Sequence, residues 1–159
     1  MKNLMTVKVG TKIPPLVKSV SDSHIDLSYD RLLLLTEKLD SGFKKYAKGP
    51  NIHTDDAAAK AAGFSRRVVP GIQSYSFISE MLSQFFGMGW IMGGKLDLKF
   101  IRPFLVGEEI TCEAEVTKTF AIEKTKQCFA ELAVHCKNAA GDVVSAGSAR
   151  ARIEAELER

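Results

Sequence analysis

The chain has 159 residues, 45% of them hydrophobic and 26% charged, with a formal net charge of +3. That length favours one domain with a real core, and the composition is that of an ordinary soluble globular protein, which excludes a disordered or membrane-embedded chain. So small a positive charge gives no argument for a nucleic-acid partner.

Residues 1–12 carry lysines but no apolar core, so no signal peptide is expected. The longest apolar stretch, 85–92, is broken by Gly87 and Gly89 and is too short to span a bilayer. Three cysteines without metal-ligand spacing suit reduced thiols in a cytoplasm. No readable base faces any of them, since His135, next to Cys136, falls on the opposite strand face, so they read as small strand hydrophobes. No glycine-rich phosphate loop or metal-ligand cluster is visible, and no metal is expected.

Met5, Val7 and Val9 alternate weakly up to Gly10; Pro14, Pro15, Val17 and Val20 follow. This pattern predicts a short strand, a turn and a second extended piece. Ser28 is placed to cap a helix starting at Tyr29, with Leu32, Leu33, Leu34, Leu35 and Leu39 on its buried face and Gly42 at its end. Residues 43–50 form a basic loop. Thr54 or Asp55 caps a short helix through Ala62, closed by Gly63. A long helix is then predicted from about Gly71 to Phe86, apolar nearly all round and therefore expected to be wrapped by other structure.

After Gly94 the period falls to two. Leu96, Leu98 and Phe100 alternate with charged residues; so do Ile110, Cys112, Ala114 and Val116, and then Cys128, Ala130, Leu132, Val134 and Cys136. Residues 138–142 make a hairpin turn into a last strand, 143–153. Antiparallel strands with one apolar face need a cover, and the apolar helix is the natural filling. The expected class is α+β, an antiparallel sheet curled around one central helix. With no linker or internal repeat, residues 1–159 are expected to form a single domain.

The strongest chemical lead is a histidine, His53, delivered by a turn shortly before the start of that helix. Free N–H groups and the positive dipole end at a helix N-terminus suit a polarised carbonyl or an anion, and Gly71 stands there. Gly71 equally serves a tight helix entry, and His53 a turn satisfied by backbone bonds. His24 and His135 read as structural or solvent-exposed.

Asn51-Ile52-His53-Thr54-Asp55, the Ala-Ala-Gly-Phe at 61–64, Pro70-Gly71-Ile72, Gly94-Lys95-Leu96, Phe100-Ile101-Arg102-Pro103 and Val106-Gly107-Glu108-Glu109 together resemble the MaoC-like (R)-specific enoyl-CoA hydratase family, over nearly the whole chain. The resemblance implies a hotdog fold and a hydratase or dehydratase acting on enoyl or 3-hydroxyacyl thioesters of coenzyme A or acyl carrier protein. In that family a histidine works with an aspartate five residues before it, within a Gly-Asp-x-Asn-Pro-x-His pattern. His53 takes the histidine place; Lys48 stands where the aspartate would be, and Asn51 is displaced by one. Gly71 matches the glycine whose neighbourhood binds the thioester oxygen, and Ser79 matches a serine that supports the catalytic carboxylate.

The resemblance therefore implies His53 and Ser79 as catalytic residues, and Gly71, Asn51, Lys48, Arg66 and Arg67 as substrate-binding ones. Asp40, Asp55 and Lys48 are the candidates to replace the lost aspartate, Asp55 having a capping role as well. Lys44, Lys45, Lys48, Arg66 and Arg67 suggest either a positive rim for coenzyme A phosphates or an acidic carrier, or a solvated surface. The tract 85–94 reads as an acyl-tunnel wall or as core and dimer contact. A homodimer or higher homo-oligomer is implied, with no metal or redox cofactor and no membrane partner. Two alternatives stay open: a non-catalytic acyl-binding or heterodimer subunit, and a hotdog thioesterase.

Overall fold

The computed structural model describes residues 7–36 and 49–153, with the backbone alone from 30 to 36. The elements, in order, are β1 (Lys12–Ser19), α1 (Asp22–Thr36), α2 (Asp56–Ala61), α3 (Ile72–Phe86), α4 (Met88–Gly93), β2 (Lys95–Phe100), β3 (Glu109–Ile122), β4 (Gln127–Asn138) and β5 (Val143–Ile153). The chain divides into two compact units. One comprises Met1–Lys18, Gly71–Arg102 and Ile110–Arg159; the other comprises Ser19–Pro70 and Pro103–Glu109.

The first unit holds a five-stranded sheet in the order β1-β3-β4-β5-β2. The pairings β3–β4, β4–β5 and β5–β2 are antiparallel. Period-two patterning is what makes these strands: β3 buries Ile110, Cys112, Ala114 and Val116, and β4 buries Ala130, Leu132, Val134 and Cys136. β1 runs straight through Pro14 and Pro15. Proline lacks an N–H for the ladder, and β1 lies at the sheet edge, where that donor is dispensable. The earlier strand expected over 5–9 lies partly outside the described residues, and Val9–Gly10 form a turn.

α3 matches the predicted long helix and packs against β2, β4 and β5. Its buried stripe is Ser74, Ile78, Met81, Leu82 and Phe86, the spacing of one helical face. The wrapping is one-sided: Ile72 stays 60% exposed and Tyr75 37%. α4 was not expected. Gly87, at φ +55, breaks the chain out of α3, and Trp90 then buries its ring while its indole N–H donates to Ser79 Oγ at 2.9 Å. The anchored tryptophan turns a glycine-studded tract into a short helix.

In the second unit α1 begins at Asp22, seven residues before the expected start. The Ser21 carbonyl accepts the N–H groups of His24 and Ile25, which opens the helix there. Ser28, predicted as the cap, sits inside it and donates to the His24 carbonyl at 2.7 Å. Leu39, Gly42 and most of the 43–50 loop lie outside the described residues. α2 is capped as predicted: Asp55 Oδ1 accepts the Ala58 N–H at 2.6 Å. Asp55→Ala is expected to cost about 1 kcal/mol of stability, read from denaturant unfolding. The remaining frame is a two-segment pairing, Val69 N–H to Phe104 O and Val106 N–H to Arg67 O, each 2.9 Å. Val20, Ile25, Ala59, Val68, Phe104 and Val106 fill the space around it.

Candidate active site

His53 lies in the second unit, on a turn built by Asn51. The Asn51 side-chain Oδ1 accepts the His53 N–H at 2.9 Å, and its backbone carbonyl accepts the N–H groups of Thr54 and Asp55 at 3.1 and 3.0 Å. Asn51 thus shapes the turn that carries the imidazole. The turn is tied to the segment after α2, because Val68 N–H donates to Ile52 O at 2.9 Å.

The imidazole makes one hydrogen bond among the described residues, between Nδ1 and the Val68 carbonyl at 2.7 Å. A carbonyl oxygen only accepts, so Nδ1 carries the proton and Nε2 keeps the lone pair in the neutral ring. The Tyr29 ring of α1 stacks beside it, centroids 6.4 Å apart and planes 29° apart. Burial pushes the Tyr29 phenol above its ordinary pKa, so it stays a neutral hydroxyl. No described carboxylate hydrogen-bonds His53. Asp55 is committed to its cap, while Lys48, Asp40, Lys44 and Lys45 lie outside the described residues.

The two arginines differ in kind. Arg66 has an exposed side chain, 3.9 Å from Asp22. Arg67 is not part of an exposed rim: the residue is 8% exposed and its guanidinium is shared between two carboxylates of α1. Nη1 donates to Asp26 at 2.7 Å and to the Thr54 carbonyl at 3.3 Å; Nε and Nη2 both donate to Asp22. The Asp26 hydrogen bond, reinforced by Asp22 against the opposing effect of burial, raises its pKa further. Arg67 therefore clamps α1 to the residue after His53, a positioning role that its sequence neighbourhood did not announce.

Gly71 and Ser79 belong to the first unit. Gly71 is the N-cap of α3, and among the described residues no acceptor takes the N–H of Gly71, Ile72 or Gln73. A Cβ on Gly71 would lie 3.0–3.1 Å from three atoms of the Phe100 ring, close enough that this exposed ring would have to shift by a few tenths of an ångström. Ser79 Oγ accepts from Trp90, which leaves the hydroxyl proton free to donate elsewhere. Among the described residues no group of three or more His, Cys, Asp or Glu could hold a metal, and no helix is long and apolar enough to cross a membrane.

The family profile described as MaoC like domain matches residues 50–137, more than half the chain, and covers the His53 turn, Gly71 and Ser79. The chain belongs to the MaoC-like family. Solved structures with the same fold include an (R)-hydratase from A. caviae involved in PHA biosynthesis: TM-score 0.67, 24% identity, 94% of this chain and 98% of that one covered. The R-hydratase PhaJ1 from Pseudomonas aeruginosa aligns with TM-score 0.65 and 23% identity over 96% of this chain and 91% of that one. The ChsH1–ChsH2 complex from Mycobacterium tuberculosis gives 0.63 and 18% over 93% and 97%. Among curated proteins no sequence matches. At these identities the likeness speaks for the fold, and this MaoC-like chain has the hotdog architecture that its sequence predicted.

Proposed function

We propose that this MaoC-like protein is a cytoplasmic hydratase that adds water reversibly to a trans-2-enoyl thioester of coenzyme A or acyl carrier protein, giving the (R)-3-hydroxyacyl thioester. The observation that carries this reading is the tautomer of His53: Val68 holds Nδ1–H and leaves Nε2 as a base. Nε2 takes a proton from water as the water oxygen bonds the β-carbon. The electron pair of the double bond moves toward the thioester oxygen, and the enolate then takes at its α-carbon the proton that Nε2 received, which restores the neutral imidazole. In the first unit, the Gly71 N–H at the start of α3 has no acceptor among the described residues, the state an oxyanion donor needs, and one such donor contributes roughly 3–4 kcal/mol. Ser79 orients with its remaining hydroxyl proton, and exposed Arg66, with Lys48, serves the anionic carrier group. The chemistry calls for no metal or redox cofactor.

The enzyme works as a homodimer in this reading. Met88, Ile91, Met92, Phe100 and Ile101 are each more than half exposed, and β2 lies at the sheet edge, which together suit a second copy. The test is the purified chain on crotonyl-CoA. Decay of the enoyl absorbance with chiral identification of (R)-3-hydroxybutyryl-CoA is the expected result. Release of free coenzyme A instead would identify a thioesterase, and no product at all would remove the catalytic reading.

A second reading, a subunit that binds acyl chains or completes a heterodimer, is favoured by Lys48 in the aspartate's place and by the absence of a described carboxylate bonded to His53. It predicts an inactive chain that co-purifies with a partner bearing the full Gly-Asp-x-Asn-Pro-x-His pattern. A monodisperse homodimer active alone excludes it.

A further inference from the structure

We infer that Cys112 and Cys136 form an oxidation site within the first unit: a peroxide converts the two thiols to a disulfide that staples β3 to β4. This site is independent of His53 and of the proposed hydratase reaction. Its basis is the strand register. Cys112 and Cys136 face each other directly across the β3–β4 ladder. Residues opposed in an antiparallel pair have Cα atoms about 4.5–5.5 Å apart, inside the window of about 4.4–6.8 Å that a disulfide needs. The side chains have already turned toward one another, with the sulfurs 3.0 Å apart in a thiol–thiol hydrogen bond. A rotation about each Cα–Cβ bond closes the remaining gap of about 1 Å to a covalent bond. No other cysteine pair is possible within the chain's described contacts. Cys128, the third, lies half-buried with Ala121 and Ile153 as its cross-strand partners.

The hydrogen bond shared with Cys112 lowers the Cys136 thiol below its usual range, against the effect of burial. Ser145 stands in register across β5, fully buried, and makes no regular hydrogen bond of its own. The same shared proton, with burial, pushes Cys112 up. Either sulfur can donate the shared proton, so either can attack and the other resolve; with Cys136 attacking, Cys112 resolves. The Cys136 thiolate attacks one oxygen of hydrogen peroxide, the O–O bond breaks, and the leaving hydroxide takes a proton and departs as water. The Cys112 sulfur then displaces the hydroxyl of the Cys136 sulfenic acid. A second water leaves with the Cys112 proton. Two thiols are oxidised and one peroxide is reduced. Both residues are 0% exposed, so entry of the oxidant depends on local opening of the sheet. A molecule little larger than water is suited to that route.

The experiment treats the folded, full-length protein with hydrogen peroxide, quenches with catalase, denatures, alkylates and reads intact mass and a peptide map. The expected product has lost two hydrogen atoms per chain, alkylates only at Cys128, and yields a Cys112–Cys136 linked peptide pair that reductant separates. Cys128→Ser is expected to give the same linkage, and Cys112→Ser or Cys136→Ser to abolish it. Should either of these fold poorly, the peptide map of the parent protein decides alone. Oxygen added at Cys128 while Cys112 and Cys136 remain free thiols overturns the inference, as does a disulfide that joins two chains.

Discussion

Replacing His53 by alanine is expected to lower kcat/KM on crotonyl-CoA by about 10²–10⁴, the usual worth of a positioned acid–base group. The substitution removes the one lone pair that the Val68 carbonyl leaves on the imidazole. It also removes one hydrogen bond, worth about 1 kcal/mol of stability. A melting curve near that of the parent, together with lost turnover, separates chemistry from folding. Unchanged turnover would mean that the proton is moved by another group, and His53 would revert to a turn residue held by its backbone bonds. Asn51→Ala is a useful companion. It leaves the imidazole in place but releases the side-chain acceptor of the His53 N–H, so a smaller loss of rate is expected.

Replacing Gly147 by alanine is expected to be the most damaging single methyl group in the first unit. Gly147 lies in β5 opposite Leu98 of β2. A Cβ there would overlap the backbone carbonyl of Asp97 and lie 3.0 Å from the Leu98 Cα. Backbone cannot swing aside as a flexible side chain does, so β2 must move away from β5. Overpacking of this kind costs about 1–3 kcal/mol or more, a fall in melting temperature of roughly 3–10 °C for a chain of this size. Hydrogen exchange should show the loss concentrated in β2, because the strand is held from one side only. Alanine tolerated without change in β2 protection would show that the strand has slack that the close approach does not suggest.

Much of the architecture was written in local patterns. Strands β3 and β4 follow from alternation, which leaves only one face able to meet a core, and β5 follows from the hairpin turn at 138–142. α2 follows from Asp55, a short acceptor placed to meet the free N–H of Ala58. α3 follows from its glycine boundaries and apolar stripe. The errors have equally local causes. Ser28 resembled a cap because serine is good both at helix starts and at bonding back to a preceding carbonyl, and it does the second here. α4 was hidden because glycines at 87, 89, 93 and 94 argue against a helix, while Trp90 overrides them from a burial site that periodicity does not reveal.

The site divides the same way. Motif order alone pointed to His53, Gly71 and Ser79, and to the family that the profile match then established. No spacing, however, could say that Val68, fifteen residues on, would set the imidazole tautomer. Nor could it say that Tyr29 would stack on the ring, or that Arg67 would be drawn inside by Asp22 and Asp26. The sequence by itself determined the main strands, the long helix, the family and the candidate site residues, because each depends on residues that are neighbours in the chain or on the order of residue types along it. The tertiary structure alone decided which imidazole nitrogen is held by Val68, which arginine is buried and which two thiols touch, because hydrogen bonds and charge pairs form between segments that only folding brings within a few ångströms.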